Sequence, residues 1–259
     1  MSSASGLAIT LKSLHQPYRP LVLANVYDIL SARAVAALPS CKALATASYA
    51  VARANGTEDD DMDFETNLRT VRGIAGAAAE FKKPFTVDIQ DAYGDRLEEV
   101  FTELIKAGIV GANLEDCDKA TQKLYSVEQA VDRIQRALKL AEKLGVKDFV
   151  INARCDTLVH GGELDEVLIR GKAYLAAGAT TVFVWGGSQR GVSRNEVVRM
   201  VKEFDGRLSV GLKMTSGGLT VAELSKIGVA RISVGPAIQF MAMDTFAREA
   251  EKLYAESWK

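Results

Sequence analysis

The chain has 259 residues, 48% hydrophobic, 25% charged and 7% aromatic, with a formal net charge of -1. Those values exclude a disordered, collagenous or fibrous chain, and 32 basic against 33 acidic residues leave no global field to draw nucleic acid or an anionic membrane. No apolar run reaches the ~20 residues of a membrane-spanning helix, and Met1–Leu14 lacks the apolar core of a secretion signal.

From the N-terminus onward, short β-branched runs alternate with helical stretches. The expected strands are Leu21–Tyr27, Ala43–Ala47, Phe85–Gln90, Ala112–Glu115, Phe149–Ala153, Thr181–Trp185, Leu208–Leu212 and Arg231–Val234. Between them the expected helices are Glu65–Phe81, Leu97–Ala107, Val127–Leu144, Asp165–Ala177, Arg194–Phe204 and Val221–Ile227, with Phe240–Ser257 at the end. Ser126 and Gln129 form a capping-box pattern ahead of one of them. Such alternation over this length predicts an α/β chain folded as a single (β/α)8 TIM barrel spanning 1–259, closed by a C-terminal helix over about 238–257. No Gly-x-Gly-x-x-Gly turn follows the first strand, which removes the main support for a dinucleotide-binding sheet.

Cys41, Cys117 and Cys155 are too few and too scattered for a disulfide framework, which suits a reducing, cytoplasmic setting. His15 and His160 are the only histidines, so a histidine-rich zinc site is excluded. Cys117 and Cys155 read as small strand-end fillers, and Glu58–Asp61 as a solvated acidic loop.

In a barrel of this kind the reactive groups stand at the carboxyl ends of the strands. Those ends carry Asp28, then Thr46-Ala47-Ser48, then Asp88-Ile89-Gln90-Asp91, then Asn113-Leu114-Glu115-Asp116, then Asn152-Ala153-Arg154-Cys155-Asp156. Alternation along a strand places Asp88 with Gln90, Asn113 with Glu115, and Asn152 with Arg154 and Asp156. Singly, each residue reads equally as a cap or an ion pair. Together they are costly to bury without a ligand. A hard divalent cation held by oxygens fits, Mg2+ best, because it keeps several waters and needs few direct carboxylates. Arg154 then suits an anionic substrate, which it can meet in bidentate fashion. Trp185, at the end of the sixth strand, serves equally as a pocket wall or as packing.

These segments resemble the isocitrate lyase/phosphoenolpyruvate mutase superfamily over nearly the whole chain. Val87–Gly94 is similar to the family's Asp-x-(Asp/Glu)-x-Gly-Tyr-Gly, Gly111–Asp116 to its Gly-x-x-x-Glu-Asp, and Asn152–Asp156 to its Ala-Arg-Thr-Asp. Ala24–Asp28, Thr46–Asp59 and Gly228–Pro236 extend the match in order. The resemblance implies a Mg2+-dependent enzyme, with Mn2+ able to substitute, acting on a small 2-oxo or 2-hydroxy acid or phosphonate through an enolpyruvate-type intermediate. It implies Asp88 as the direct metal ligand, Gln90 and Glu115 as ligands through water, and Thr46, Ala47 and Ser48 at the substrate carboxylate. Arg154 resembles the substrate-contacting arginine, and with Asp88 and Glu115 it makes up the expected catalytic set, while Asn113 and Trp185 join the expected substrate pocket. A homo-oligomer, dimer or tetramer, is implied as well, with the last helix packing on a neighbour.

The departures matter too. The lyases carry a Lys-(Lys/Arg)-Cys-Gly-His lid after the fourth strand, whereas Asp116–Tyr125 is short and lacks it. Gln90 stands where the family has an acid, and Ala92 where it has glycine. These differences point away from isocitrate or methylisocitrate cleavage and toward a mutase-like branch. The expected reaction is carbon–carbon cleavage, with P–C mutase or phosphonopyruvate hydrolase chemistry as the alternative. A catalytically reduced barrel that only binds a small acid or a protein partner is the reading from another class.

Overall fold

The structure, a computed structural model, describes residues 4–214 and 217–257. The expected barrel is present. Its strands are β1 (Leu21–Leu23), β2 (Asn25–Val26), β3 (Leu44–Thr46), β4 (Phe85–Asp88), β5 (Gly111–Glu115), β8 (Val150–Cys155), β9 (Thr181–Val184), β10 (Leu208–Gly211) and β11 (Arg231–Ser233), and every pairing among them is parallel. The intervening β6 (Cys117–Asp118) and β7 (Lys123–Leu124) form a separate antiparallel pair on the loop after β5.

The first expected strand, Leu21–Tyr27, is divided at Ala24. β1 pairs with β11 and β2 pairs with β3, so the two pieces share one place in the ring and close it. Asn25 staples this seam. Its Nδ2 donates to Thr46 O at 2.7 Å, and its Oδ1 accepts from Val234 N and Gly235 N, both at 2.9 Å. A side chain thus supplies the hydrogen bonds that the interrupted ladder cannot.

Around the ring lie α2 (Ile29–Ala36), α3 (Ser48–Ala54), α4 (Phe64–Glu80), α5 (Leu97–Lys106), α6 (Val127–Lys143), α7 (Leu164–Ala176), α8 (Arg194–Glu203) and α9 (Val221–Ile227). The expected capping box at Ser126 and Gln129 is formed at the start of α6. Three helices go beyond the sequence reading. α2 and α3 are short, and α1 (Ala4–Ser13) lies across the N-terminal ends of the strands, where Leu11 is fully buried and fills the space that a side chain on Gly111 would need. The last helix, α10 (Ala237–Ser257), begins close to the expected position. Among the described residues no helix is long and apolar enough to cross a membrane.

Candidate active site

Two rows of inward residues run across the barrel wall. Asp88, Asn113, Asn152 and Thr181 are register partners on β4, β5, β8 and β9, and Glu115, Arg154 and Phe183 form the next row toward the mouth. Asp88 is 7% exposed. Its carboxylate accepts only backbone N–H groups among the described residues, from Ser48 at 3.2 Å and Gln90 at 3.4 Å. Thr46 is turned to the same residue, its hydroxyl accepting from Asp88 N at 2.9 Å. Thr46, Ala47 and Ser48 therefore lead from β3 into α3 directly beside the Asp88 carboxylate.

Arg154 is clamped by two acids, donating from Nη1 to Glu115 at 2.5 Å and from Nε to Asp156 at 2.7 Å. Trp185 covers it, with the guanidinium 4.3 Å from the ring centroid, a cation–π distance. Burial works against the arginine's charge, but Asp156, Glu115 and Asp88 hold its pKa above the ordinary value. Glu115 moves well upward. Burial is the main cause, Arg154 pulls against it, and Asp156, Asp88 and Asp59 add to the rise.

Asp59 is the residue that sequence reasoning missed. The expected solvated loop Glu58–Asp61 turns one of its acids into the mouth, where burial and then Asp88 push its pKa up to about 6, opposed by a hydrogen bond from Ser48 and by Arg154. Gln90 explains the placement: its Nε2 donates to Asp59 O at 2.7 Å and to Asp59 Oδ1 at 3.1 Å. Its Oε1 accepts from Lys119 Nζ at 2.9 Å, and that ammonium also donates to Met62 O at 2.6 Å. Gln90 itself lies in the left-handed region, at φ 52, as an unbranched polar residue in a strained turn can. Its amide is thus engaged with the acidic loop and Lys119. An anti-pattern in the acid run was visible in Met62, an apolar residue immediately after four acids, which is 1% exposed and pins the loop inward.

The structure also joins two residues read singly. Cys117 Sγ lies 3.3 Å from His160 Nε2, across 43 residues of chain. Burial, with Asp156, Glu115 and Asp116, pushes the Cys117 thiol up to about 12, so it is a neutral thiol at physiological pH. Cys155 is buried behind the wall, and burial pushes its thiol up as well. After the sixth strand Gly186 is required for packing: a Cβ there would lie 1.9 Å from Gly191 O.

The mouth therefore gathers Asp59, Asp88, Glu115 and Asp156 around one guanidinium, a surplus of negative charge. Among the described residues no cluster of three or more His, Cys, Asp or Glu side chains has the closeness of a dry metal cage. The donor set instead fits a hard cation that takes one carboxylate directly and completes its shell with water and substrate oxygens. Among the described residues Asp88 is the carboxylate of this set that no side chain engages, and so the one that could hold such a cation.

The family model described as phosphoenolpyruvate phosphomutase matches residues 11–254. A solved structure from Burkholderia cenocepacia J2315, described provisionally as a phosphonomutase, is 35% identical with a TM-score of 0.84, covering 96% of this chain and 99% of that one. An uncharacterised protein of Mycobacterium tuberculosis (strain H37Rv) is 28% identical over 234 residues, 88% of this chain and 82% of the relative. The phosphonopyruvate hydrolase of Variovorax sp. (strain Pal2) is 29% identical over 199 residues, 71% of this chain and 64% of the relative.

Proposed function

This chain belongs to the phosphoenolpyruvate phosphomutase family, and on that premise we propose a Mg2+-dependent enzyme that acts on a small 2-oxo or 2-hydroxy acid through an enolpyruvate-type intermediate. The observation that carries the proposal is Asp88, a buried carboxylate with only backbone donors, set among three further acids and one clamped arginine. Asp88 would hold the metal directly, with Glu115 contributing through water and Gln90 standing further out behind Asp59. Magnesium, when bound, supplies Lewis acidity and offsets negative charge on a substrate oxygen.

The chain's own groups do the rest. Arg154 meets the substrate anion with the guanidinium edge left over from Glu115 and Asp156, and Trp185 packs over that guanidinium. Thr46, Ala47 and Ser48 border the substrate carboxylate beside Asp88, and Asn113 offers its amide from the row below. Asp59 and Glu115, both raised in pKa, are placed to carry a proton at the mouth.

Carbon–carbon cleavage is the first reaction to test, and the phosphonopyruvate hydrolase relative favours P–C cleavage as the second. A turnover screen of 2-oxo acids, malate derivatives and phosphonopyruvate separates the two. Calorimetry separates an enzyme from a bare scaffold. Magnesium and oxalate should each strengthen the other's binding in the wild type, and Asp88→Ala should abolish magnesium-dependent oxalate binding while the protein stays folded. Unchanged magnesium affinity in Asp88→Ala would overturn the site.

We also propose that two or more copies associate through α10. Phe240, Met241, Met243, Phe246 and Leu253 are exposed along it, Phe246 by 73%, and Val22 on the outer side of β1 is 43% exposed where a barrel's outer helix would cover it. A second copy's α10 fits that wall, and a sedimentation measurement showing a stable monomer at micromolar concentration would exclude it.

A further inference from the structure

Below the carboxylates of the mouth, the barrel interior contains a buried cation that no role above requires. Arg231 on β11 is 1% exposed, and among the described residues its guanidinium makes one hydrogen bond, from Nη2 to Asn113 Oδ1 at 3.0 Å. Its Nε and Nη1 are buried without a partner among the described residues. Burial lowers its pKa to about 10, with Asp88 opposing, so the group remains charged at neutral pH. A guanidinium can donate and cannot accept.

That asymmetry fixes the orientation of everything next to it. Asn113 must turn Oδ1, not Nδ2, toward Arg231. The same oxygen accepts from Asn152 Nδ2 at 2.8 Å, which leaves Asn152 Oδ1 to accept from Thr181 Oγ1 at 2.7 Å. Two donors, Arg231 Nη2 and Asn152 Nδ2, thus converge on Asn113 Oδ1. The Nδ2 of Asn113 is the free end of the relay: it donates to no described residue and is not among the fully enclosed atoms that lack a partner, on a residue that keeps 5% of its surface exposed. In the register Asn113 stands opposite Asp88 and two residues before Glu115 on the same face.

We infer that Arg231 is a positioning residue, which locks the Asn113 amide from inside the barrel so that its N–H is a fixed donor to a carboxylate or enolate oxygen of the bound acid. The inference rests on the small-acid reading of the mouth. A neutral residue able to accept as well as donate would leave the amide free to turn, and the turned amide would present an oxygen to an incoming anion. The donor-only character of position 231 is therefore what matters, more than its size.

Titrating oxalate into the magnesium-loaded protein, with melting temperatures measured alongside, tests this. Wild type should bind, and failure to bind would remove the small-acid reading and this inference with it. Given binding by the wild type, Arg231→Gln should weaken oxalate about tenfold, the scale of one lost hydrogen bond to a charged group, whereas Arg231→Lys, still a donor only, should lose about threefold or less. Equal affinities in all three proteins, or equal losses in the two variants, would overturn the positioning role. Should neither variant fold, Asn113→Asp decides. It gives Arg231 a carboxylate partner, so the melting temperature should hold or rise, while oxalate affinity falls by about tenfold or more; unchanged affinity there would overturn the claim.

Discussion

Glu115 and Asp116 are neighbours in the chain and lie on opposite sides of the barrel wall, in surroundings that differ in kind. Inside, Glu115 shares a single guanidinium with Asp156, close to the Asp59 and Asp88 carboxylates. Behind the wall, the Asp116 carboxylate is met by three protein donors. It accepts from Tyr174 OH at 2.6 Å, from Asp156 N at 2.8 Å and from Arg170 Nη1 at 3.5 Å. Arg170 in turn donates to Tyr125 O at 2.9 Å and pairs with Glu166 at 2.9 Å. Asp91 belongs to the outer set as well: its carboxylate takes Tyr93 N, Gly94 N and Tyr125 OH, and its carbonyl accepts from Arg133. The same residue types are balanced by protein donors on one side of the wall and left in surplus on the other, where the proposed chemistry would draw on them.

Breaking the outer set should give the largest effect. Asp116→Ala leaves the Tyr174 hydroxyl and the Asp156 N–H without their acceptor and removes one of the two carboxylates beside Arg170, and should cost about 3–5 kcal/mol of stability, measurable by urea unfolding. A loss below about 1 kcal/mol would show that the outer cluster is not the structural half of the comparison.

Sharpening the inner set calls for Arg154→Lys. The charge stays and the fork geometry goes, so oxalate affinity should fall roughly 10- to 100-fold while the melting temperature stays near that of the wild type. A destabilised variant with intact affinity would move Arg154 into the outer, structural class.

His15 offers a third case, remote from both clusters. Its Nδ1 lies 2.8 Å from Leu11 O, so that nitrogen carries the proton, and its Nε2 is buried without a partner. Burial, and then Arg231, lower its pKa to about 3. A histidine kept neutral in the fold binds its proton more readily when unfolded, so its contribution is complete above about pH 6.5 and falls as the pH drops from there toward 3. Wild type should lose about 2 kcal/mol through this group between pH 6.5 and 5, and His15→Gln should show a shallower decline in acid denaturation. Identical pH profiles would remove the effect.

The smallest effect is expected from the thiols. Cys155→Ser and Cys117→Ser should each lower turnover by less than about tenfold, since loss of a general acid or base typically costs about 100-fold or more. A larger loss from Cys117→Ser would assign proton transfer to its pairing with His160.

The strand ends of the inner set were legible because a parallel strand buried on both sides is a dense apolar run, and a polar residue at its end stands out. Asp88, Asn113, Glu115 and Arg154 were found that way, on period alone. Asp59 was not, because only the Gln90 amide and the buried Met62, each distant from it in reasoning though not in space, decide which acid of the run turns inward. The pairing of Cys117 with His160 and the role of Arg231 depend on contacts between loops or strands far apart in the chain, for which no local pattern exists. The short helices α2 and α3 went unseen for a simpler reason, since 8 and 7 residues are too few for a helical period to declare itself.

The seam at Ala24 gives the barrel a built-in place to breathe. Elsewhere around the ring a strand parts from its neighbour only by giving up a backbone ladder, but past the end of the β1–β11 ladder the joint between β2 and the residues after β11 is carried by the two hydrogen bonds to Asn25 Oδ1, while Nδ2 ties β2 to β3. Local opening at this joint need not wait for global unfolding. The amide proton of Gly235, which Asn25 holds, would then be traded for deuterium on the timescale of that opening, and its rate is a clock for how often the ring comes undone beside its own mouth.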